Sequence, residues 1–138
     1  KTMGKVAVVY WSGTGNTQAM AEAVAQAADG ALFTAAEFGP ENLAEYDAIA
    51  FGCPSMGSEE LEDSEFLPMF ESVKGQLAAK KVALFGSYGW GDGEWMRNWE
   101  ADCVAAGISL ACDSVICQEA PDDETLNALA ALGRTLAS

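Results

Sequence analysis

Ser12-Gly13-Thr14-Gly15-Asn16-Thr17 packs hydrogen-bond donors into six consecutive residues. Ser12, Thr14 and Thr17 carry hydroxyls and Asn16 an amide, while Gly13 and Gly15 permit positive φ and leave backbone N–H groups unshielded. A helix beginning here adds roughly half a positive charge at its N-terminus. Together these make a cup for an oxyanion; the plainer alternative is an ordinary Ser/Thr/Gly helix cap. A Walker loop would need Lys followed by Ser or Thr after its second glycine, and the dinucleotide fingerprint a third glycine where Gln18 stands. No Lys or Arg lies between Val6 and Val73. A phosphate bound here is held by neutral dipoles alone, which suits a monoester retained permanently.

Two further segments carry unusual chemistry. Pro54-Ser55-Met56-Gly57-Ser58-Glu59-Glu60 joins a polarizable thioether, a glycine and two carboxylates. Alone it would pass for a turn, with Met56 as core filler. Ser87-Tyr88-Gly89-Trp90-Gly91 sets an indole between two glycines, poorly placed for a core and so a candidate for a site at the end of a strand. Tyr88 either frames that site or packs elsewhere. Trp95 and Trp99, four residues apart, read instead as the buried face of a helix. Glu59, Glu60, Glu62, Asp63 and Asp92 crowd the same loops, and solvation is their plainest role.

The elements that position these segments follow from apolar periodicity. Residues 5–11 (KVAVVYW) read as a buried strand, 18–28 as an Ala-rich helix closed at Asp29-Gly30, and 31–38 as a weaker strand. Residues 47–53 form a third strand, 65–77 a helix with Pro68 in its first turn, and 81–87 a fourth strand. A helix over 94–106 ends at Gly107, and a fifth strand spans 108–117. Asp122 or Asp123 caps a last helix carrying Leu126, Leu129, Leu132 and Leu136. Such alternation predicts an α/β fold: one doubly wound, five-stranded parallel sheet with helices on both faces, in one domain. Ligands of such sheets bind beyond the carboxyl ends of the strands, where strand order reverses. All three chemistry-bearing segments follow a strand directly.

Composition narrows the function. With 138 residues, 50% hydrophobic and 20% charged, the chain is long enough for one sizeable core. Its net charge of −14 repels a phosphate backbone and an anionic leaflet, so neither nucleic acid nor membrane is an expected partner, whereas a basic protein would be steered in. Cys53, Cys103, Cys112 and Cys117 show no C-x-x-C spacing, so buried free thiols and no metal site are expected. The absence of histidine removes Ser–His–Asp and Cys–His catalysis. No basic stretch followed by an apolar one opens the chain, and the expected compartment is the cytoplasm.

Tyr10-Trp11-Ser12-Gly13-Thr14-Gly15-Asn16-Thr17 resembles the phosphate-binding pattern of flavodoxins, T/S-x-T-G-x-T, with Gly13 in its second position as in clostridial-type members. The resemblance extends through 53–65 and 84–96, and the element order matches over nearly the whole chain. It implies a flavodoxin-like sheet of order 2-1-3-4-5 and a monomeric electron carrier, not an enzyme, with non-covalently bound FMN. The flavin ring would lie between Met56 and Trp90, with Gly89 and Gly91 near its pyrimidine edge and Glu59 accepting from N3–H. Gly57 would turn its carbonyl toward N5 as that atom is protonated, favouring the neutral semiquinone. Nearby carboxylates would disfavour the anionic hydroquinone: one charge at ~8 Å contributes about 2 kcal/mol at an effective dielectric near 20. The carrier would therefore shuttle single electrons at low potential between redox proteins with basic docking patches. Residues 108–117 leave no room for the roughly twenty-residue insertion of the long-chain class. The competing expectation is an FMN-dependent NAD(P)H or quinone oxidoreductase on the same fold. A receiver domain is excluded, since Tyr10-Trp11, Cys53 and Ser87 stand where its acidic pair, phosphoacceptor and lysine belong.

Overall fold

A computed structural model describes residues 5–57 and 59–138. Along the chain run β1 (Val6–Tyr10), α1 (Asn16–Ala28), β2 (Ala31–Thr34), the single-turn α2 (Pro40–Leu43), β3 (Ala48–Gly52) and α3 (Phe66–Lys74). They are followed by β4 (Lys81–Tyr88), α4 (Glu94–Ala105), β5 (Val115–Gln118) and α5 (Asp123–Ala137). The strands form one parallel sheet in the order β2-β1-β3-β4-β5, as expected.

β1 and β3 are apolar and buried at every position because both faces of the sheet are covered. Side chains alternate between the faces. Ala7, Val9, Ile49, Phe51, Val82 and Leu84 meet the side chains of α3 and α4, among them Phe66, Phe70, Trp95 and Trp99. Phe51, Phe66, Phe70 and Trp99 pack largely edge-to-face, with centroids 5.1–6.5 Å apart. The two tryptophans are thus core residues, as read. On the other face Val6, Val8, Ala50, Ala83 and Phe85 meet Met20 and Val24 of α1 and Leu129, Leu132 and Leu136 of α5. Each buried Val, Leu, Phe or Met side chain among them contributes roughly 1.5–3 kcal/mol.

Several boundaries differ from the periodicity, among them the end of α3 at Lys74 where the helix was expected to run to 77. α1 starts at Asn16, so Asn16 and Thr17 belong to its first turn. β2 stops at Thr34, where Glu37 accepts the Thr34 N–H at 2.9 Å and a 3-10 turn begins. Residues 40–43 add a helical turn, with Pro40 at its start and Asn42 accepting from the Gly39 N–H. The largest difference is in the last strand. Leu110 makes one bridge to Val82, and regular pairing resumes only at Val115 opposite Phe85. From Val82 to Phe85 β4 advances three residues while its partner advances five, so the edge bows out. The bowed stretch carries Asp113, which stays in solvent, and Ser114, whose hydroxyl donates to Glu100 at 2.6 Å. The last helix starts as expected: Asp122 caps α5 by accepting from Thr125 N at 2.8 Å.

Candidate functional site

β1 and β3 lie side by side, but their connections leave toward opposite faces, and a crevice opens beyond Tyr10 and Gly52. The loop after β1 crosses it. Gly15 ends that loop at φ +98°, a conformation a Cβ would resist, and on either side of it Thr14 and Asn16 line a cleft. Ser12 Oγ accepts from Gly15 N at 3.0 Å and Thr14 Oγ1 from Asn16 N at 3.5 Å; both hydroxyl protons remain available. Thr17 is 1% exposed, and its hydroxyl has no partner among the described residues.

The loop after β3 is tied to the loop after β4 by Ser55 N donating to Ser87 O at 3.0 Å. Met56 then opens a turn closed by Glu59 N to Met56 O (2.8 Å) and Met56 N to Glu60 O (3.0 Å). Gly57 is exposed, with open space where a Cβ would project; Ser58 lies outside the described residues. Glu59 has a φ of 55°, and its Oε1 is buried against Gly91 without a hydrogen-bond partner among the described residues. Beyond it, Trp90 leaves 59% of its surface exposed. Thr14, Asn16, Pro54, Ser55, Ser87, Tyr88, Gly89 and Glu119 line one cleft, so all three loops read from the sequence meet there.

Two buried atoms without partners thus stand at this end of the sheet, one a hydroxyl at a helix N-terminus and one a carboxylate oxygen. Buried polar atoms cost free energy when unpaired. An anion fits the first and an N–H donor the second.

A family model described as Flavodoxin matches residues 8–133. The chain belongs to the flavodoxin family. It is 46% identical over 123 residues to the flavodoxin of Megasphaera elsdenii, covering 86% of this chain and 89% of that one. To the flavodoxin of Clostridium beijerinckii it is 42% identical over 121 residues, covering 84% and 88%. The solution structure of two-electron reduced M. elsdenii flavodoxin superimposes with a TM-score of 0.87 at 41% identity, over 96% of this chain and 98% of that one.

As a flavodoxin of the short, clostridial kind, the chain is an FMN-binding electron carrier. FMN offers a phosphate monoester at one end and a ring N–H at the other, matching the two unpartnered atoms. When bound, FMN supplies the redox chemistry; the protein supplies orientation, electrostatics and cover.

Several residues behave differently from the sequence reading. Glu62, grouped there with the solvated acidic crowd, is 4% exposed. Its carboxylate accepts from Glu65 N and Phe66 N at 2.8 Å, from Ser64 N at 2.9 Å and from the Ser64 hydroxyl. Burial alone would raise its pKa, but these donors outweigh burial and hold it at about 2. Glu62 is therefore the N-terminal anchor of α3. Arg97 puts a cation beside the acidic rim, donating to Asp92 O and Oδ1, each at 3.0 Å. Glu119 enters the cleft from the turn after β5, and Gln118 Nε2 donates to Gly89 O at 3.1 Å. The sequence signal for both was their place after a strand at the ligand-binding edge. Of the thiols, Cys53 and Cys103 are buried, and burial pushes each up to about 12, whereas Cys112 and Cys117 are only half-buried. All four are free.

Proposed function

We propose that this flavodoxin is a low-potential carrier whose FMN cycles between the neutral semiquinone and the anionic hydroquinone. The observation that carries this reading is the crowding of carboxylates at the ring end. Glu59, Asp92 and Glu94 bring oxygens within 4.8 Å of one another, and the guanidinium facing them, Arg97, is already paired with Asp92. Negative charge fixed there raises the cost of a second electron. In this reading Ser12, Thr14, Asn16, Thr17 and the N–H groups around Gly13 and Gly15 hold the phosphate. Pro54, Ser55, Ser87, Tyr88 and Gly89 wall the cleft, Met56 and Trp90 flank the ring, and Glu59 accepts from N3–H. Gly91 completes the outer loop after β4. We place the protein in the cytoplasm as a monomer that docks on basic patches of redox proteins.

Visible spectra during anaerobic stepwise reduction test the proposal. One FMN per chain and a long-wavelength blue species at half-reduction support it; direct passage to full reduction, or reduction by NAD(P)H alone, would move the protein to the oxidoreductases. Gly57→Thr sharpens the test. Open space surrounds Gly57, so the added side chain acts through backbone preference, not collision. The blue species should fall several-fold at half-reduction, and an unchanged yield would contradict the role given to Gly57.

Docking makes a second demand. Two of the acidic groups near the ring, Asp92 and Glu94, are solvent-exposed, so their attraction for a basic partner is screened by salt. The bimolecular rate of electron transfer should drop about tenfold or more between 10 mM and 300 mM salt, as for steered association. A rate indifferent to salt removes the steering argument.

A further inference from the structure

Three non-glycine residues among those described have left-handed backbones: Asp29, Glu59 and Glu119. Asp29 closes α1, and Glu59 stands in the turn beside Gly91. Glu119 belongs to neither setting. Its φ of 61° is one that residues with a Cβ rarely adopt, and its surroundings must hold it there. They do so through the cleft. Glu119 N donates to Tyr88 O at 2.9 Å, and Glu119 O accepts from the Ser87 hydroxyl at 2.6 Å. The preceding side chain, Gln118, adds the bond to Gly89 O at 3.1 Å. Three consecutive residues, Ser87, Tyr88 and Gly89, are thereby fastened to the β5–α5 turn, and Trp90 follows immediately.

We infer that Glu119 is a positioning residue of the cofactor cleft: its left-handed backbone fastens the segment leading to Trp90 and so fixes one wall of the FMN site. This rests on the assignment of the cleft to FMN. The carboxylate itself is not what the wall requires. It lies in a cleft that receives an anion, where its charge opposes binding. Ser87 accordingly acts as a donor to the turn, and its hydroxyl proton is committed to Glu119 O.

Backbone and charge separate in a small variant set, measured on apoprotein by quenching of FMN fluorescence. Glu119→Gln removes the charge but keeps the backbone strain, and should tighten FMN binding about twofold. Glu119→Gly removes both and should tighten it further, to about fivefold. Glu119→Val also removes the charge, but a β-branched residue resists φ near +60°; it should weaken binding tenfold or more and speed amide exchange at Tyr88, Gly89 and Trp90. Glu119→Thr, β-branched but polar and a smaller disturbance should the valine variant not fold, should weaken binding about threefold relative to Glu119→Gln. Valine and glutamine variants that bind alike, or a glycine variant weakened tenfold, would overturn the inference. Wild-type protein that takes up no FMN would instead overturn the assignment of the cleft, so the two failures are distinguishable.

Discussion

Thr17→Val should make the apoprotein more stable and FMN binding weaker. The two effects have one cause. Thr17 sits in the first turn of α1 with its hydroxyl buried and unpartnered, and valine replaces that hydroxyl with a methyl group of similar size. A buried polar group without a partner costs roughly 1–3 kcal/mol, which the substitution recovers. The apoprotein melting temperature should rise by about 3 °C for each kcal/mol regained. A phosphate oxygen would turn the same hydroxyl into a charge-assisted donor, a contribution of roughly 1.5–3 kcal/mol, so its loss should raise the FMN dissociation constant about 10- to 100-fold. Riboflavin, which lacks the phosphate, distinguishes this cause from a general disturbance, because its affinity should not follow. A variant that melts lower and binds FMN as tightly as wild type would sink the idea.

That hydroxyl also shows what a sequence can and cannot disclose. Donors at Ser12, Thr14, Asn16 and Thr17 were legible because their chemistry is local: six consecutive residues bring them together whatever the rest of the chain does. A parallel sheet covered on both faces was legible for a related reason, since strands as apolar as β1 and β3 need such cover; its strand order came only from the resemblance to flavodoxins. Glu62 was not legible. Its spacing from Glu59 and Asp63 looks like one more solvated charge, and only the path of the loop turns its carboxylate onto the N–H groups of residues 64–66. The edge strand failed for another reason. Apolar content runs on through 108–112, but an edge has a single neighbour, so Asp113 and Ser114 can bow outward without breaking a second ladder. Glu119 was hidden because left-handed backbone leaves no mark on a glutamate; its cause lies in Ser87 and Tyr88, some thirty residues earlier in the chain.

Glu62→Ala should be the most destabilising of the changes considered, and its effect should fade in acid. The carboxylate satisfies three N–H groups at the start of α3 that nothing else reaches, and an alanine leaves them unpaired beside a buried turn. A loss of roughly 3 kcal/mol at pH 7 is expected from urea unfolding of the apoprotein. The sign of the pH dependence follows from the depressed pKa. In the unfolded chain this carboxyl titrates near 4.5, and in the fold at about 2, so the unfolded state binds more protons between those values. Its stabilisation is fully present above pH 4.5 and drains away as pH falls toward 2, so the gap between wild type and Glu62→Ala should close across that window. A gap that stays constant from pH 7 to 3 would show that lost packing, not charge, is responsible. The consequence reaches the cofactor, because the carboxylate's bonds to residues 64–66 hold residue 62 in the place from which its backbone N–H donates to Cys53 Sγ at 3.3 Å, closing the segment that carries Met56 and Gly57. Protonating or removing Glu62 should therefore loosen FMN before it unfolds the sheet, with release of the flavin preceding the main transition as pH is lowered.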